Sequence, residues 1–80
     1  MIMAYLAVDE DGTEWIFSRK PSRWNNGISK LWTTKGLGVK TKLYNGAIKE
    51  IHGFDMNWYN EPVKIDMKFD VIYHEAIKTK

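Results

Sequence analysis

The chain has 80 residues, a net charge of +2 at pH 7 and no cysteine. This length allows one small domain, residues 1–80, with a modest core and little room for a deep catalytic cavity. The lack of cysteine excludes disulfides and thiolate-bound metals, and it fits an intracellular setting.

The first two predicted elements form a β-hairpin. Apolar residues fill both faces of the segment from Ile2 to Val8, which predicts a strand that is largely covered on both sides. Asp11-Gly12 is a favoured turn pair because glycine accepts a positive φ. Residues 13–18 have the β-branched and aromatic content of a return strand. The acids at the turn are interpreted as a solvated tip, because the spaced ligands of a calcium loop are missing.

The middle of the chain predicts a loop followed by two short strands. Residues 19–27 are expected to form the loop, because Pro21 lacks a backbone donor and Asn25-Asn26-Gly27 is typical of a turn. A third strand is predicted within residues 28–34 and a fourth within residues 39–44, separated by a turn at the glycines of residues 36–38.

Residues 45–52 predict the one helix, with two turns. Asn45 is the expected cap of the first amides, and Gly53 suits a left-handed exit. Ile48 and Ile51 are three residues apart and therefore share a face with Ala47. The alternative is a hairpin turn at residues 45–46.

The segment from Val63 to Tyr73 predicts the longest strand, since its apolar residues recur at every second position. We expect the rest of the sheet to pack on this strand. An aromatic connector, residues 54–62, precedes it, and Trp58 is assigned to the core or its rim with Trp15 and Phe17. Together the elements predict an α+β fold, in which a small antiparallel sheet of four to five strands curls into a barrel-like roll beside one short helix.

The sequence carries no recognisable catalytic or metal-binding motif. The candidate nucleophiles Ser18, Ser22 and Ser29 are not in a motif with His52 or His74, and both histidines are interpreted as surface residues. We therefore predict no catalytic residues, no metal site and no cofactor.

The charges, in contrast, are distributed very unevenly. Residues 1–18 carry four acids and no base, residues 19–42 carry seven basic residues and no acid, and residues 43–80 carry five lysines against six acids. We call residues 19–42 the basic section. Lysine and arginine neutralise phosphates, and exposed aromatic rings stack on bases, so this section is the candidate site for a partner or a nucleic acid. Its candidate residues are Arg19, Lys20, Arg23, Trp24, Trp32, Lys35, Lys40 and Lys42. The alternative is that the tryptophans are core residues and the lysines only solubilise the surface.

Two stretches resemble short, uncharacterised open reading frames of phages and prophages from gut bacteria. The first stretch comprises Tyr5-Leu6-Ala7-Val8-Asp9, Asp11-Gly12-Thr13-Glu14 and Ile16-Phe17; the second comprises Leu43, Gly46, Ile48, Ile51, Gly53, Trp58 and Glu61-Pro62-Val63. They leave the basic section outside the resemblance, and this chain extends well past Val63. The resemblance implies a phage-type origin, and compact phage proteins often bind and disable a host machine such as a CRISPR effector. It implies no site residues, because no activity of that family is established.

The leading expectation is a non-enzymatic, phage-derived binding protein that inhibits a host protein, such as a defence effector, in the cytoplasm of an infected or lysogenic bacterium. One alternative is a module that binds nucleic acid or a charged nucleotide through the basic section, and another is a phage structural or assembly component. No stretch approaches the length of a membrane span, so no membrane partner is expected. The exposed edges of a small open sheet make a homodimer plausible.

Overall fold

Six strands and one helix are present in the computed structural model, which describes the backbone of residues 2–67 and the side chains of residues 3–66. In chain order they are β1 (Ile2–Val8), β2 (Glu14–Phe17), β3 (Ser22–Asn25), β4 (Lys30–Thr33), β5 (Lys40–Lys42), α1 (Ala47–His52) and β6 (Val63–Met67). The predicted first hairpin, third strand, fourth strand and helix are therefore confirmed, most of them one to three residues shorter at their ends.

The strands are arranged in two antiparallel sheets. The larger sheet has the order β5-β2-β1-β6, and the smaller one pairs β3 with β4. Within residues 2–67 these sheets form no closed barrel, so the predicted barrel-like roll is not what this part of the chain adopts. The coarser prediction of a small α+β fold with mostly antiparallel strands is confirmed.

The larger sheet is organised around β1. The expectation that the rest of the sheet packs on the last strand is wrong. β1 pairs with β2 on one side and with β6 on the other, whereas β6 lies at an edge of the described sheet. The predicted alternation is present in β6, where Val63 and Ile65 are half-buried while Lys64 and Asp66 are exposed. Residues 68–73 of the predicted strand lie outside the described residues.

Both faces of β1 are covered, as its sequence predicts. Ala4, Leu6 and Val8 face a core cluster that includes Ala47 and Ile48 of α1. The alternate residues of the strand, since they point to the other face, belong to a second cluster. That cluster joins Ala7 with Phe17 and Trp32, and Trp15 and Trp58 pack against it. The larger sheet thus lies between α1 and the β3-β4 hairpin.

The segment expected to be a loop at residues 19–27 contains strand β3, which is a correction. β3 pairs with β4 so that Arg23 lies opposite Trp32 and Trp24 opposite Leu31. The predicted turn residues are used in the connection that follows β3. The side chain of Asn25 accepts a hydrogen bond from the amide of Gly27, and that of Asn26 accepts bonds from the next two amides. The turn chemistry was therefore recognised, but the strand before it was not.

Helix α1 begins differently from the prediction. Its N-cap is Gly46, at φ 91°, and Asn45 provides no side-chain cap. The carboxylate of Glu14 on β2 takes the place of the cap and accepts hydrogen bonds from the amides of Gly46 and Ile48, both at 2.8 Å. The predicted exit is confirmed, because Gly53 has φ 94° and its amide donates to the carbonyl of Lys49.

Candidate interaction surface

The acidic hairpin tip is in part a buried polar site, which corrects the expectation of a solvated tip. Asp9 is only 8% exposed. Its Oδ2 accepts a hydrogen bond from Trp15 Nε1 at 2.7 Å, and its Oδ1 accepts one from the backbone amide of Trp32 at 2.9 Å. A buried carboxylate is stable when it is hydrogen-bonded in this way. Asp9 therefore joins the first hairpin to β4 and is not available to a partner.

Trp32 is one of the eight candidate residues, and the fold places it in the core. It is 2% exposed, and its indole Nε1 donates to the carbonyl of Val8 at 2.9 Å. Its ring lies 5.5 Å from that of Trp58, measured between centroids. Trp24, on the same hairpin, is 42% exposed. Of the two candidate tryptophans, only Trp24 offers a ring to the surface.

Arg23 is held by contacts inside the domain. Its Nη1 donates to Glu61 Oε2 at 2.7 Å and its Nη2 to the carbonyl of Trp58 at 2.9 Å. The guanidinium carbon lies 4.5 Å from the ring centroid of Trp32 and 5.2 Å from that of Trp58. Ion pairing and cation–π stacking at these distances both stabilise the arginine where it is. Arg23 thus fastens the β3-β4 hairpin to the connector before β6.

Arg19 has a different environment, on the surface beside the connection between β4 and β5. A Cβ placed on Gly38 would lie 2.5 Å from Ser18 Oγ, 3.1 Å from Arg19 Cγ and 3.2 Å from Arg19 Cδ. The aliphatic stem of Arg19 therefore rests against the backbone of Gly38. Leu37 and Val39, the neighbours of Gly38, are 61% and 66% exposed. We call the set of Arg19, Leu37, Gly38 and Val39 the Arg19 corner.

The connection that carries this corner is tied down by hydrogen bonds. The amide of Leu37 donates to the carbonyl of Thr34, and the hydroxyl of Thr34 donates back to the carbonyl of Leu37. The amide of Val39 donates to Ser18 Oγ at 2.7 Å, and its carbonyl accepts from the amide of Ser18 at 2.9 Å. Lys35, in the same turn, has a positive φ of 57°. These bonds fix the backbone of the corner before any partner arrives.

The remaining candidate cations are all exposed. Lys20 precedes β3, Lys35 lies in the turn, and Lys40 and Lys42 lie on β5. Lys40 Nζ is 4.1 Å from the ring centroid of Trp15, so its charge lies over an aromatic face. β5 is an edge strand of the described sheet, and lysines on an edge strand discourage pairing with another chain.

Only some cations of the basic section form ion pairs within residues 2–67. The two ion pairs among these residues join Arg23 to Glu61 and Lys30 to Glu10. Arg19 and the four lysines at positions 20, 35, 40 and 42 form none there. Five cations of the basic section therefore face solvent without an acidic partner in the described part of the chain.

Of the exposed apolar side chains in the basic section, only Trp24 is a site residue predicted from the sequence. The six large apolar residues that are exposed within residues 3–66 include four from the basic section, namely Trp24, Ile28, Leu37 and Val39. Ile28 is 90% exposed, at the connection between β3 and β4. The signal that could have identified Leu37 is its position between two glycines, because such a turn leaves little room for burial.

An open cleft of about 480 Å³ lies beside the first hairpin and includes Asp11, Glu14, Lys42 and Tyr44 in its walls. Hydrogen bonds from Thr13 lower the pKa of Asp11, with a smaller contribution from the charge of Lys42. The Glu14 carboxylate already caps α1, and the Tyr44 hydroxyl already donates to Glu50. The polar groups of this cleft thus serve the fold, which makes the cleft a weaker candidate than the basic section.

Residues that were considered for catalysis or metal binding are dispersed. Ser18 Oγ accepts the Val39 amide, and the ring of His52 packs at 5.4 Å from that of Phe54. His74 lies outside the described residues. Among residues 2–67, no three side chains of histidine, cysteine or acid are grouped so that they could hold a metal ion. A search of the same residues for a helix long and apolar enough to cross a membrane finds none.

No protein-family model, no curated protein and no solved structure matches this chain.

Proposed function

We propose that this protein is a non-enzymatic binding protein that attaches through its basic section to a host protein and inhibits it. The observation that carries the proposal is the coincidence, in one section of the chain, of exposed large apolar side chains and exposed cations that form no ion pair within residues 2–67. Protein interfaces are enriched in tryptophan, arginine and other large side chains at their centres. Single exposed apolar residues are common on solvated surfaces, but Leu37 and Val39 are exposed together on one turn, beside Arg19.

The apolar residues favour a protein partner over nucleic acid. Phosphate recognition requires cations and hydrogen-bond donors, and single-strand binding adds aromatic rings. Leu37 and Val39 provide neither, whereas both suit a partly apolar protein surface. Two of the residues that nucleic acid would need, Arg23 and Trp32, are occupied inside the domain.

The inhibitory role and the phage origin rest on the resemblance of residues 5–17 and 43–63 to small phage and prophage proteins. A protein of 80 residues inhibits most simply by covering a functional surface of its target. An acidic surface of the target would complement the exposed cations of the basic section, of which Arg19 and four lysines form no ion pair within residues 2–67.

The test is affinity capture from a nuclease-treated bacterial lysate with the immobilised full chain. We expect one host protein to be retained in stoichiometric amount by the wild type. The double variant Arg19→Glu/Lys35→Glu should lose it, because the charge of the surface is reversed. The matched control Lys49→Glu/Lys64→Glu changes the net charge equally at exposed sites outside the basic section and should retain it. Retention of no specific protein, or equal loss in both variants, contradicts the proposal.

The second candidate is binding of single-stranded nucleic acid, and the exposed ring of Trp24, within the basic section, favours it. In this case a short oligonucleotide should quench tryptophan fluorescence at low salt, and the quenching should weaken steeply as salt is raised. Trp24→Phe should remove most of the signal, because Trp32 is buried. An unchanged fluorescence at low salt excludes this candidate.

A further inference from the structure

The Arg19 corner combines one cation with two apolar side chains on a fixed backbone. The stem of Arg19 rests on Gly38, within 3.1–3.2 Å of where a Cβ would be. Leu37 precedes Gly38 and Val39 follows it, and consecutive Cα atoms are about 3.8 Å apart. The guanidinium and both apolar side chains are therefore close enough to contact one short segment of a partner.

The corner is also pre-organised. Ser18 binds Val39 through both its side chain and its backbone, and Thr34 binds Leu37 in the same reciprocal way. A surface whose backbone is already fixed loses less conformational entropy on binding than a free loop does. Glycine is required at the contact, because φ is +76° at Gly38 and any side chain there would collide with Ser18 Oγ at 2.5 Å.

The charge of the corner defines the chemistry of its partner. Arg19 forms no ion pair within residues 2–67, and Lys35 and Lys40 flank the corner with two further exposed charges. An arginine guanidinium binds a carboxylate in a bidentate, directional manner. We infer that the Arg19 corner binds a short acidic segment of a partner protein in which aspartate or glutamate alternates with apolar residues. Arg19 pairs with a carboxylate, and Leu37 and Val39 cover the neighbouring apolar side chains. This inference rests on the proposed function, for which it specifies the contact.

The test is a titration of the ¹⁵N-labelled full chain, followed through its amide resonances, with two synthetic nonapeptides. One alternates aspartate and leucine, and the other has lysine in place of every aspartate. We expect saturable shifts of the amides of Arg19, Leu37, Gly38 and Val39 with the acidic peptide and none with the basic one. Arg19→Glu should weaken binding by about tenfold or more, because a charge-assisted pair becomes a repulsion.

Two further variants distinguish specific binding at the Arg19 corner from non-specific binding to exposed apolar side chains. Leu37→Asn should weaken binding, whereas Ile28→Asn, which removes an even more exposed apolar residue from the other connection, should leave it unchanged. Gly38→Ala should disturb the Arg19 amide and weaken binding; if it fails to fold, Arg19→Glu still decides. Three outcomes overturn the inference: peptide-induced shifts elsewhere on the surface, equal binding of the basic peptide, or corner shifts that depend on protein concentration without peptide. The last outcome would indicate that a second copy of the chain binds the corner.

The two proposals fail independently. A specific lysate partner combined with no peptide shift at the corner would leave the proposed function standing and overturn this inference. Peptide binding at the corner without any lysate partner would support this inference and contradict the proposed function.

Discussion

The two charged stretches of this chain, the acids at residues 9–14 and the basic section at residues 19–42, have opposite relations to the fold. Asp9 is buried between two tryptophans, and Glu14 caps a helix that begins more than thirty residues later. In the basic section, Arg19 and four lysines point into solvent without an acid from residues 2–67. Two runs of charge that look equally solvated in sequence thus differ: the acidic one contributes two carboxylates that hold the domain together, whereas most cations of the basic one form no ion pair within residues 2–67.

The largest expected effect comes from removing the carboxylate of Asp9, which tests whether the acidic stretch stabilises the fold. Asp9→Ala leaves the Trp32 amide and the Trp15 indole N–H without acceptors in a region that excludes water. We expect a loss of about 3 kcal/mol in the free energy of unfolding, measured by urea denaturation with tryptophan fluorescence. Arg19→Ala and Asp55→Ala, both at exposed sites, should change stability little. An Asp9 variant as stable as these controls would show that the acidic stretch is as dispensable to the fold as the basic one.

The next largest loss of stability is expected for substitution of Glu14. This substitution distinguishes the observed helix cap from the one that the sequence indicates. Glu14→Ala removes the acceptor of the Gly46 and Ile48 amides, and we expect a loss of about 2 kcal/mol. Asn45→Ala, which removes the predicted cap, should have little effect. Urea denaturation gives the free energies, and hydrogen exchange of the two amides gives the local effect. If Asn45→Ala were the more damaging change, the cap assigned to Glu14 would be wrong.

Local patterns in the sequence predicted the parts of this fold that depend on near neighbours. The apolar run of residues 2–8 predicts a strand covered on both faces, and the alternation in residues 63–67 predicts a strand with one buried face, because side chains point to opposite faces with period two. Gly53 indicates a helix end because glycine adopts its φ easily. Strand β3 was missed because all four of its residues are exposed, so it has no alternation of burial. It forms a strand through its pairing with β4 and the stacking of Arg23 on Trp32.

The candidate site was predictable only in outline, because contacts between residues distant in sequence decide which charges are available. The excess of cations at residues 19–42 is visible in the sequence, but which of them are free depends on distant residues. Arg23 is occupied by Glu61 and Trp58, which are 38 and 35 residues away along the chain. Asp9 is buried by contacts with β4, 23 residues away. No local pattern encodes such pairings, so the separation of structural from available charges required the fold.

The smallest expected effect concerns Asp11, an exposed acid of the first hairpin. Thr13 donates to its carboxylate from the backbone amide at 2.9 Å, and hydrogen bonds from Thr13 lower its pKa below the ordinary value of 3.8. A lowered pKa in the folded state means that Asp11 contributes stability above pH 3.8, and that this contribution disappears as the pH falls through the folded-state pKa. Thr13→Ala removes the hydroxyl but keeps the backbone amide, so the pKa of Asp11 should rise only part of the way toward 3.8. A carboxyl-detected NMR titration of the wild type and this variant measures both values. An Asp11 pKa at the ordinary value of 3.8 in the wild type would mean that Thr13 does not hold this carboxylate, and the contrast between the two stretches would then rest on Asp9 and Glu14 alone.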